Sequence, residues 1–172
     1  MTMKNNYSYK LCVAPMMGHT DLHFRYLLRL ISKKTMLYTE MVASNSILHN
    51  KSKKLNKLER NKDNPVGFQL GGDNPEQLAE CAKIVESHGY NEINLNIGCP
   101  SKRAQSGNFG ACLFSQPELV AKCADNISKS TSLPITVKTR LGIDNLDNIN
   151  YLKDFISTVS SAGVETFHLH AR

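Results

Sequence analysis

The chain has 172 residues, 41% of them hydrophobic and 21% charged, with a net charge of +6. That length supports one domain with a real core, and the composition excludes a disordered or fibrous chain. The five cysteines are odd in number and no two are spaced as Cys-x-x-Cys, which argues against a disulfide framework or a zinc site.

No metal is expected, and free thiols are at home in a reduced, cytoplasmic compartment. Residues 1–10 are polar and lack the apolar stretch of a signal peptide. No apolar run approaches the ~20 residues that would span a bilayer, so no membrane association is expected. The surplus of positive charge leans towards a polyanionic partner without requiring one.

Two periodicities alternate along the chain. Residues 11–14 read as a short buried strand closed by Pro15. A helix over 22–31 carries Leu27, Leu28 and Ile31 on one face. A second strand is expected at 36–41 and a third at 66–70, the latter ended by Gly71-Gly72. The next helix has Asn74 as its N-cap and Pro75 in its first turn. Its apolar positions Leu78, Cys81, Ala82 and Val85 follow the i, i+3, i+4, i+7 rule, and His88-Gly89 ends it. Residues 93–97 form the fourth strand. A capping box at Ser115-Gln116-Pro117-Glu118 starts a helix that buries Leu119, Val120, Cys123 and Ile127. The fifth strand spans 134–139, a helix follows with Ile149, Leu152, Ile156 and Val159 inward, and the sixth strand spans 164–169.

Strands that alternate with helices predict a parallel sheet with helical crossovers. Polar residues gather at the strands' C-terminal ends: Pro15-Met16-Met17, Glu40, Gln69, Asn96, Lys138 and His170. In a (β/α)8 TIM barrel those ends converge on one face, which carries the active site. The competing layout, a doubly wound open sheet, would show Gly-x-Gly-x-x-Gly after its first strand, and the chain has none there. A complete barrel takes about 250 residues. The chain is therefore expected to hold roughly the first six strands, as the N-terminal part of a longer protein.

The chemistry concentrates at Asn94-Leu95-Asn96-Ile97-Gly98-Cys99-Pro100-Ser101 and the glycine-containing loop from Ser106 to Leu113. A strand running into a Gly-Cys-Pro corner puts a thiol at the mouth of the fold. The glycines of the loop let backbone amides approach a ligand. Proton transfer from Cys99 competes with simple packing, the usual fate of a cysteine. Lys138, at the end of an apolar strand, suits an anionic ligand, unless it snorkels or pairs with Glu40. Gln69 offers a donor and an acceptor to a heteroaromatic edge, or merely caps its strand. Cys12, Cys81, Cys112 and Cys123 read as packing. The basic run over 51–62 is a solvated face or a phosphate-contacting loop. Lys102 and Arg103, beside the Cys99 corner, are better placed to meet a nucleic-acid backbone.

Seven segments in order resemble the tRNA-dihydrouridine synthases. They are Ala14-Pro15-Met16-Met17-Gly18-His19-Thr20-Asp21, Tyr38-Thr39-Glu40-Met41-Val42, Gln69-Leu70-Gly71-Gly72, the Asn94–Ser101 segment, Gln105 to Leu113, Val137-Lys138-Thr139-Arg140-Leu141-Gly142 and His168-Leu169-His170-Ala171-Arg172. The Phe109-Gly110-Ala111-Cys112-Leu113 loop and the closing His170-Ala171-Arg172 look most like the A-type branch, which acts on the tRNA D loop at positions 20 and 20a. Lys102 and Phe114 depart from that branch, where Asp and Met are usual.

The resemblance implies an FMN-binding TIM barrel that reduces uridine to 5,6-dihydrouridine in tRNA. Its hydride comes from reduced FMN to C6, with NADPH as reductant. Cys99 would give the proton to C5. Pro15, Met16, Met17, Gln69, Lys138 and His170 would bind FMN, while Asn96, Lys102 and Arg103 would meet the substrate. The resemblance also implies two further barrel strands and a C-terminal helical domain, absent from these 172 residues, and a monomeric full-length protein. Two rivals stand beside it: a catalytically inactive truncated barrel, and another FMN barrel of the dihydroorotate dehydrogenase type.

Overall fold

The computed structural model describes residues 9–49 and 64–171. The basic run over 51–62 and Arg172 lie outside the described residues. Strands and helices alternate: β1 (Cys12–Val13), α1 (Leu22–Ile31), β2 (Met36–Tyr38), β3 (Val42–Ala43), α2 (Ser44–Leu48), β4 (Val66–Gly71) and α3 (Pro75–Ser87). Then come β5 (Glu92–Ile97), α4 (Lys102–Ser106), a 3-10 turn (Gly110–Ser115), α5 (Pro117–Ser128), β6 (Ile135–Arg140), α6 (Ile149–Ser160) and β7 (Thr166–His170). The strands are parallel, in the order β1-β2-β4-β5-β6-β7, with β3 paired to β4. Among the described residues no helix is long and apolar enough to cross a membrane.

The sheet curls into a half-barrel. The Tyr38 hydroxyl on β2 lies 3.0 Å from His168 Nε2 on β7, although β4, β5 and β6 separate these strands. Four flat inter-strand steps would place them about 19 Å apart, so only a rolled sheet brings them together. The expected first six strands of a (β/α)8 barrel are thus observed as a half-barrel, with β3 as a short addition.

Alternation divides each strand between two environments. Val66, Phe68, Leu70, Ile93, Leu95, Ile97 and Val137 point outward into the core beneath the helices. Leu78, Cys81, Ala82 and Val85 of α3 meet them there, with Val120, Cys123 and Ile127 of α5 and Leu152, Phe155 and Val159 of α6. The inner face is polar: Tyr38, Gln69, Glu92, Asn94 and Thr136 are all buried on it. Asn74 caps α3 as expected, its side chain accepting from Gln77 N at 2.8 Å.

Four expectations are corrected. The second strand stops at Tyr38, because the chain bulges there. Tyr38 pairs with Gly67 and Val42 with Leu70, so four steps on one strand face three on the other, and the surplus residue leaves the ladder. The bulge turns the Glu40 carboxylate onto the backbone N–H of Gly18. The capping box does not form. Ser115 donates to the carbonyl of Cys112 and closes the 3-10 turn, while α5 starts after Gln116 with no side-chain cap. Ile149 is exposed and Ile156 half-buried, and Phe155 takes the inward place on α6. On α1 the apolar face is turned outward: Leu27 and Ile31 are 54% and 75% exposed, and Arg25 and Arg29 are buried instead. Their guanidiniums donate to backbone carbonyls outside the helix. Arg25 donates to Thr20, and Arg29 to Ser32, Thr35 and Pro65, at 2.7–2.9 Å.

Candidate active site

At the C-terminal ends of the strands the sheet opens into a cleft of about 440 Å³. Pro15 lines it from the end of β1, Met41 and Ala43 from the bulge and β3, and Gln69 from β4. Asn96, Gly98, Cys99 and Ser101 come from the end of β5, Ala104 and Phe109 from α4 and the loop after it, and Lys138 from β6. Met17 and Ser46 complete the lining. Six of the residues singled out from the sequence therefore share one cleft: Pro15, Met17, Gln69, Asn96, Cys99 and Lys138.

The Gly98-Cys99 corner is pinned on every backbone polar atom. Asn96 Oδ1 accepts from Gly98 N at 3.1 Å and from Cys99 N at 2.9 Å. The carbonyl of Gly98 accepts from Arg140 Nε at 2.7 Å, and that of Cys99 from Ala111 N at 2.9 Å. Four hydrogen bonds thus define where the thiol stands, and Pro100 contributes no competing N–H. The half-buried Cys99 thiol donates to Ser101 Oγ at 3.3 Å, and the same oxygen caps the α4 turn by accepting from Ala104 N. Gly110, which brings the loop against the corner, has φ +82 and no room for a side chain: a Cβ there would stand 2.5 Å from the Cys99 carbonyl oxygen.

Asn96 spends both lone pairs of its amide oxygen on the corner. Its Nδ2 donates to Gln69 Oε1 at 2.8 Å, so what it still offers the cleft is an N–H. Lys138 stands beside it, in register on β6. It makes no hydrogen bond or ion pair to a described residue; Glu40, the partner weighed for it, is engaged with Gly18. Burial pushes the Lys138 pKa below its ordinary value, and the Arg140 guanidinium adds to the effect. A desolvated ammonium and a free amide N–H, side by side, form a donor face that asks for acceptor or anionic atoms. Apolar Pro15, Met17, Met41 and Phe109 offer flat or flexible surface to the body of a ligand.

The remaining expected residues lie elsewhere. Met16 is 39% exposed and gives its backbone to the turn, where its N–H and carbonyl both engage Thr20. His170 lines a second opening, of about 460 Å³, that shares Pro15 and Lys138 with the first. Lys102 is exposed at the start of α4. Arg103 belongs to the same helix, and its side chain lies outside the described part. Sequence reasoning gave no role to Arg140, Ser101 or Phe109. Arg140 was within reach, since strand alternation places it on the face of Lys138; Phe109 and Ser101 enter through loop geometry that no periodicity encodes.

A family model described as dihydrouridine synthase matches residues 12–172. A protein of Synechocystis sp. named tRNA-dihydrouridine(20/20a) synthase is 52% identical over 162 residues, 94% of this chain and 48% of its own. Proteins of the same name from Vibrio parahaemolyticus and Escherichia coli are each 51% identical, over 96% and 97% of this chain and 51% and 48% of their own. The chain spans about half the length of these curated relatives. In fold it is also similar to the carboxyl transferase domain of Rhizobium etli pyruvate carboxylase, with a TM-score of 0.50 at 14% identity, over 92% of this chain and 26% of that one.

Proposed function

The chain belongs to the dihydrouridine synthase family, and from that premise we propose that it supplies the N-terminal strands of an FMN-binding barrel that reduces uridine to 5,6-dihydrouridine in the tRNA D loop, at positions 20 and 20a. The observation that carries the reading is the pinned thiol facing a donor-rich, partly apolar cleft. Pyrimidines and flavins share what that cleft asks for: a flat ring edged with carbonyl oxygens.

The residues suit FMN by chemistry. Lys138 is a cation with no counter-charge among the described residues, suited to the negative charge that a reduced flavin bears on its pyrimidine side. Gln69 and Asn96 bring amides to the same wall, and Pro15 and Met17 bring surface for a ring. His170, near Lys138 in the adjoining opening, would extend that contact. Held by these residues, FMN would supply hydride chemistry towards C6 of the uracil, with NADPH as the reductant.

The protein's own part is proton delivery and alignment. Cys99 gives the thiol proton to C5, and the thiolate regains one from water at the open mouth of the cleft. A thiol keeps its proton near neutral pH yet releases it readily, as a general acid must. The four hydrogen bonds at the corner fix the Cys99 backbone from which the thiol projects, the kind of fixed geometry on which proton transfer depends. The target base has to leave the tRNA stack to enter. Lys102 and Arg103, on the helix that follows the thiol, would then meet the flanking phosphates.

The test is dihydrouridine in tRNA, measured by mass spectrometry, from a host without its own synthases that expresses the protein. Dihydrouridine confined to positions 20 and 20a, lost in Cys99→Ala, is the expected result. Its absence in the presence of folded, FMN-loaded protein would overturn the tRNA reading. Oxidation of dihydroorotate by that same protein would put the dehydrogenase alternative in its place. The relatives named above favour the synthase.

A further inference from the structure

The inner face of the half-barrel carries a continuous line of side-chain hydrogen bonds with a single direction. β5 reads Glu92-Ile93-Asn94-Leu95-Asn96-Ile97, and its three polar residues face inward. At the bottom, Glu92 Oε1 accepts from Tyr38 Oη at 2.6 Å and from Thr136 Oγ1 at 2.5 Å. Thr136 Oγ1 accepts from Asn94 Nδ2 at 2.8 Å, Asn94 Oδ1 from Gln69 Nε2 at 2.7 Å, and Gln69 Oε1 from Asn96 Nδ2. At the top, Asn96 Oδ1 accepts the two backbone N–H groups of the Cys99 corner.

We propose that Glu92 is a positioning residue that sets the polarity of this line from its buried end, and so helps hold Asn96 with its oxygen to the Cys99 corner and its N–H to the ligand. A carboxylate can only accept. The Thr136 hydroxyl has one proton, which goes to Glu92, so it must accept from the next group. Asn94 therefore presents nitrogen to Thr136 and oxygen to Gln69. Gln69 has to answer with nitrogen, which turns its oxygen to Asn96. The backbone amides at the far end can only donate, so they demand the same orientation of Asn96. Both ends of the line agree, and no amide can flip alone without setting two donors or two acceptors against each other.

The fold makes room for this anchor. Tyr38 reaches Glu92 by lying across β4 at Gly67, where a Cβ would stand 2.5 Å from the tyrosine ring. On its other side the Tyr38 hydroxyl meets His168 Nε2, which closes the cluster from β7. A carboxylate buried far from the thiol thus acts on it through four side chains and takes no part in the chemistry.

The effect on ligand affinity rests on the flavin reading above; the amide polarity does not. Thr136→Val keeps the shape of the side chain and cuts the line, and Thr136→Ser restores the hydroxyl. Glu92→Met removes the anchor itself. Side-chain amide exchange is read by NMR in protein without flavin. In Thr136→Val the Asn96 amide is expected to exchange about tenfold faster, the scale of one lost buried hydrogen bond, with backbone amides of α3 unchanged and the wild-type rate recovered in Thr136→Ser. Glu92→Met should do the same. A change confined to Asn94, or an Asn96 rate that Glu92→Met leaves alone, would overturn the proposal. If Glu92→Met does not fold, the threonine pair decides. With FMN added, Kd should rise in Thr136→Val and recover in Thr136→Ser. Failure of the wild type to bind FMN would refute the flavin reading while the exchange rates still settle the polarity.

Discussion

Replacing Gly110 by alanine isolates the cost of crowding the thiol corner. Gly110 and Gly163 both hold φ values that L residues avoid, +82 and +90, but a Cβ at Gly163 meets nothing within 4 Å. Each substitution pays the left-handed penalty of about 1–2 kcal/mol. At Gly110 the new methyl also stands 2.5 Å from the Cys99 oxygen and 3.2 Å from the Cys99 and Ala104 Cβ atoms. The loop must retreat, which breaks the hydrogen bond from Ala111 N to that same oxygen. Loss of a partner there adds about 1–3 kcal/mol. The difference between the variants is then about 2–12 °C in Tm for a domain of this size, with Gly110→Ala the less stable, read by calorimetry. Because the displaced oxygen belongs to Cys99, the proposed proton donor, Gly110→Ala should also lose on the order of 10²-fold in dihydrouridine formation, a typical cost of misplacing a reacting group by an ångström. Gly163→Ala should keep full activity. Equal Tm losses in the two variants, or unchanged turnover in Gly110→Ala, would refute the reasoning.

Cys99→Ala is expected to retain FMN and to lose about 10²–10⁴-fold in turnover, the usual worth of a general acid; single-turnover rates with tRNA check it. Lys138→Met keeps the length of the side chain and removes its charge, so FMN should bind at least about tenfold more weakly and be reduced more slowly, as expected when a charged hydrogen-bonding partner worth about 1.5–3 kcal/mol is removed; stopped-flow absorbance reads both. Burial, helped by the Lys138 ammonium, holds His168 below its ordinary pKa of 6.5. A depressed folded-state value means that its contribution is complete above pH 6.5 and is lost as the pH falls towards that value. Wild-type Tm should therefore drop faster between about pH 7 and pH 5 than that of His168→Gln, and parallel curves would contradict the assignment.

The sequence disclosed what periodicity encodes. The helix from Pro75 to Ser87 and its N-cap, the outward faces of the central strands, and the convergence of Gln69, Asn96, Cys99 and Lys138 all follow from spacings of two, three and four residues. What it hid depends on contacts between distant segments. Arg25 and Arg29 look like a solvated stripe on a helix with an apolar face, and their burial follows from the carbonyls of Thr20, Ser32, Thr35 and Pro65 that they reach in other segments. The end of the second strand at Tyr38 reflects a one-residue mismatch with β4, which no reading of either strand alone contains. Ser115 has a capping-box sequence but donates to the Cys112 carbonyl of the 3-10 turn instead, and α5 has no side-chain cap. His168 has no partner in its own neighbourhood of the chain; its hydrogen bond comes from a residue 130 positions away.

The alternation of β5 carries two messages in one strand. Ile93, Leu95 and Ile97 belong to the core beneath the helices, and Glu92, Asn94 and Asn96 to the barrel interior. A polar interior is costly unless each group finds a partner, and here the partners come from neighbouring strands at matching register: Gln69 opposite Asn94, and Asn94 opposite Thr136. A slip of one residue between β5 and either neighbour would set amides against isoleucines. The same register that stabilises the sheet therefore delivers Asn96 to the Cys99 corner with its oxygen already committed. At the end of this line of partners stand the Asn96 N–H and the Lys138 ammonium, which face the cleft. That is why the donor face of the cleft lies at the C-terminal rim of β5 and β6 rather than deeper in the barrel, where Gln69, Asn94, Thr136 and Glu92 hydrogen-bond to one another.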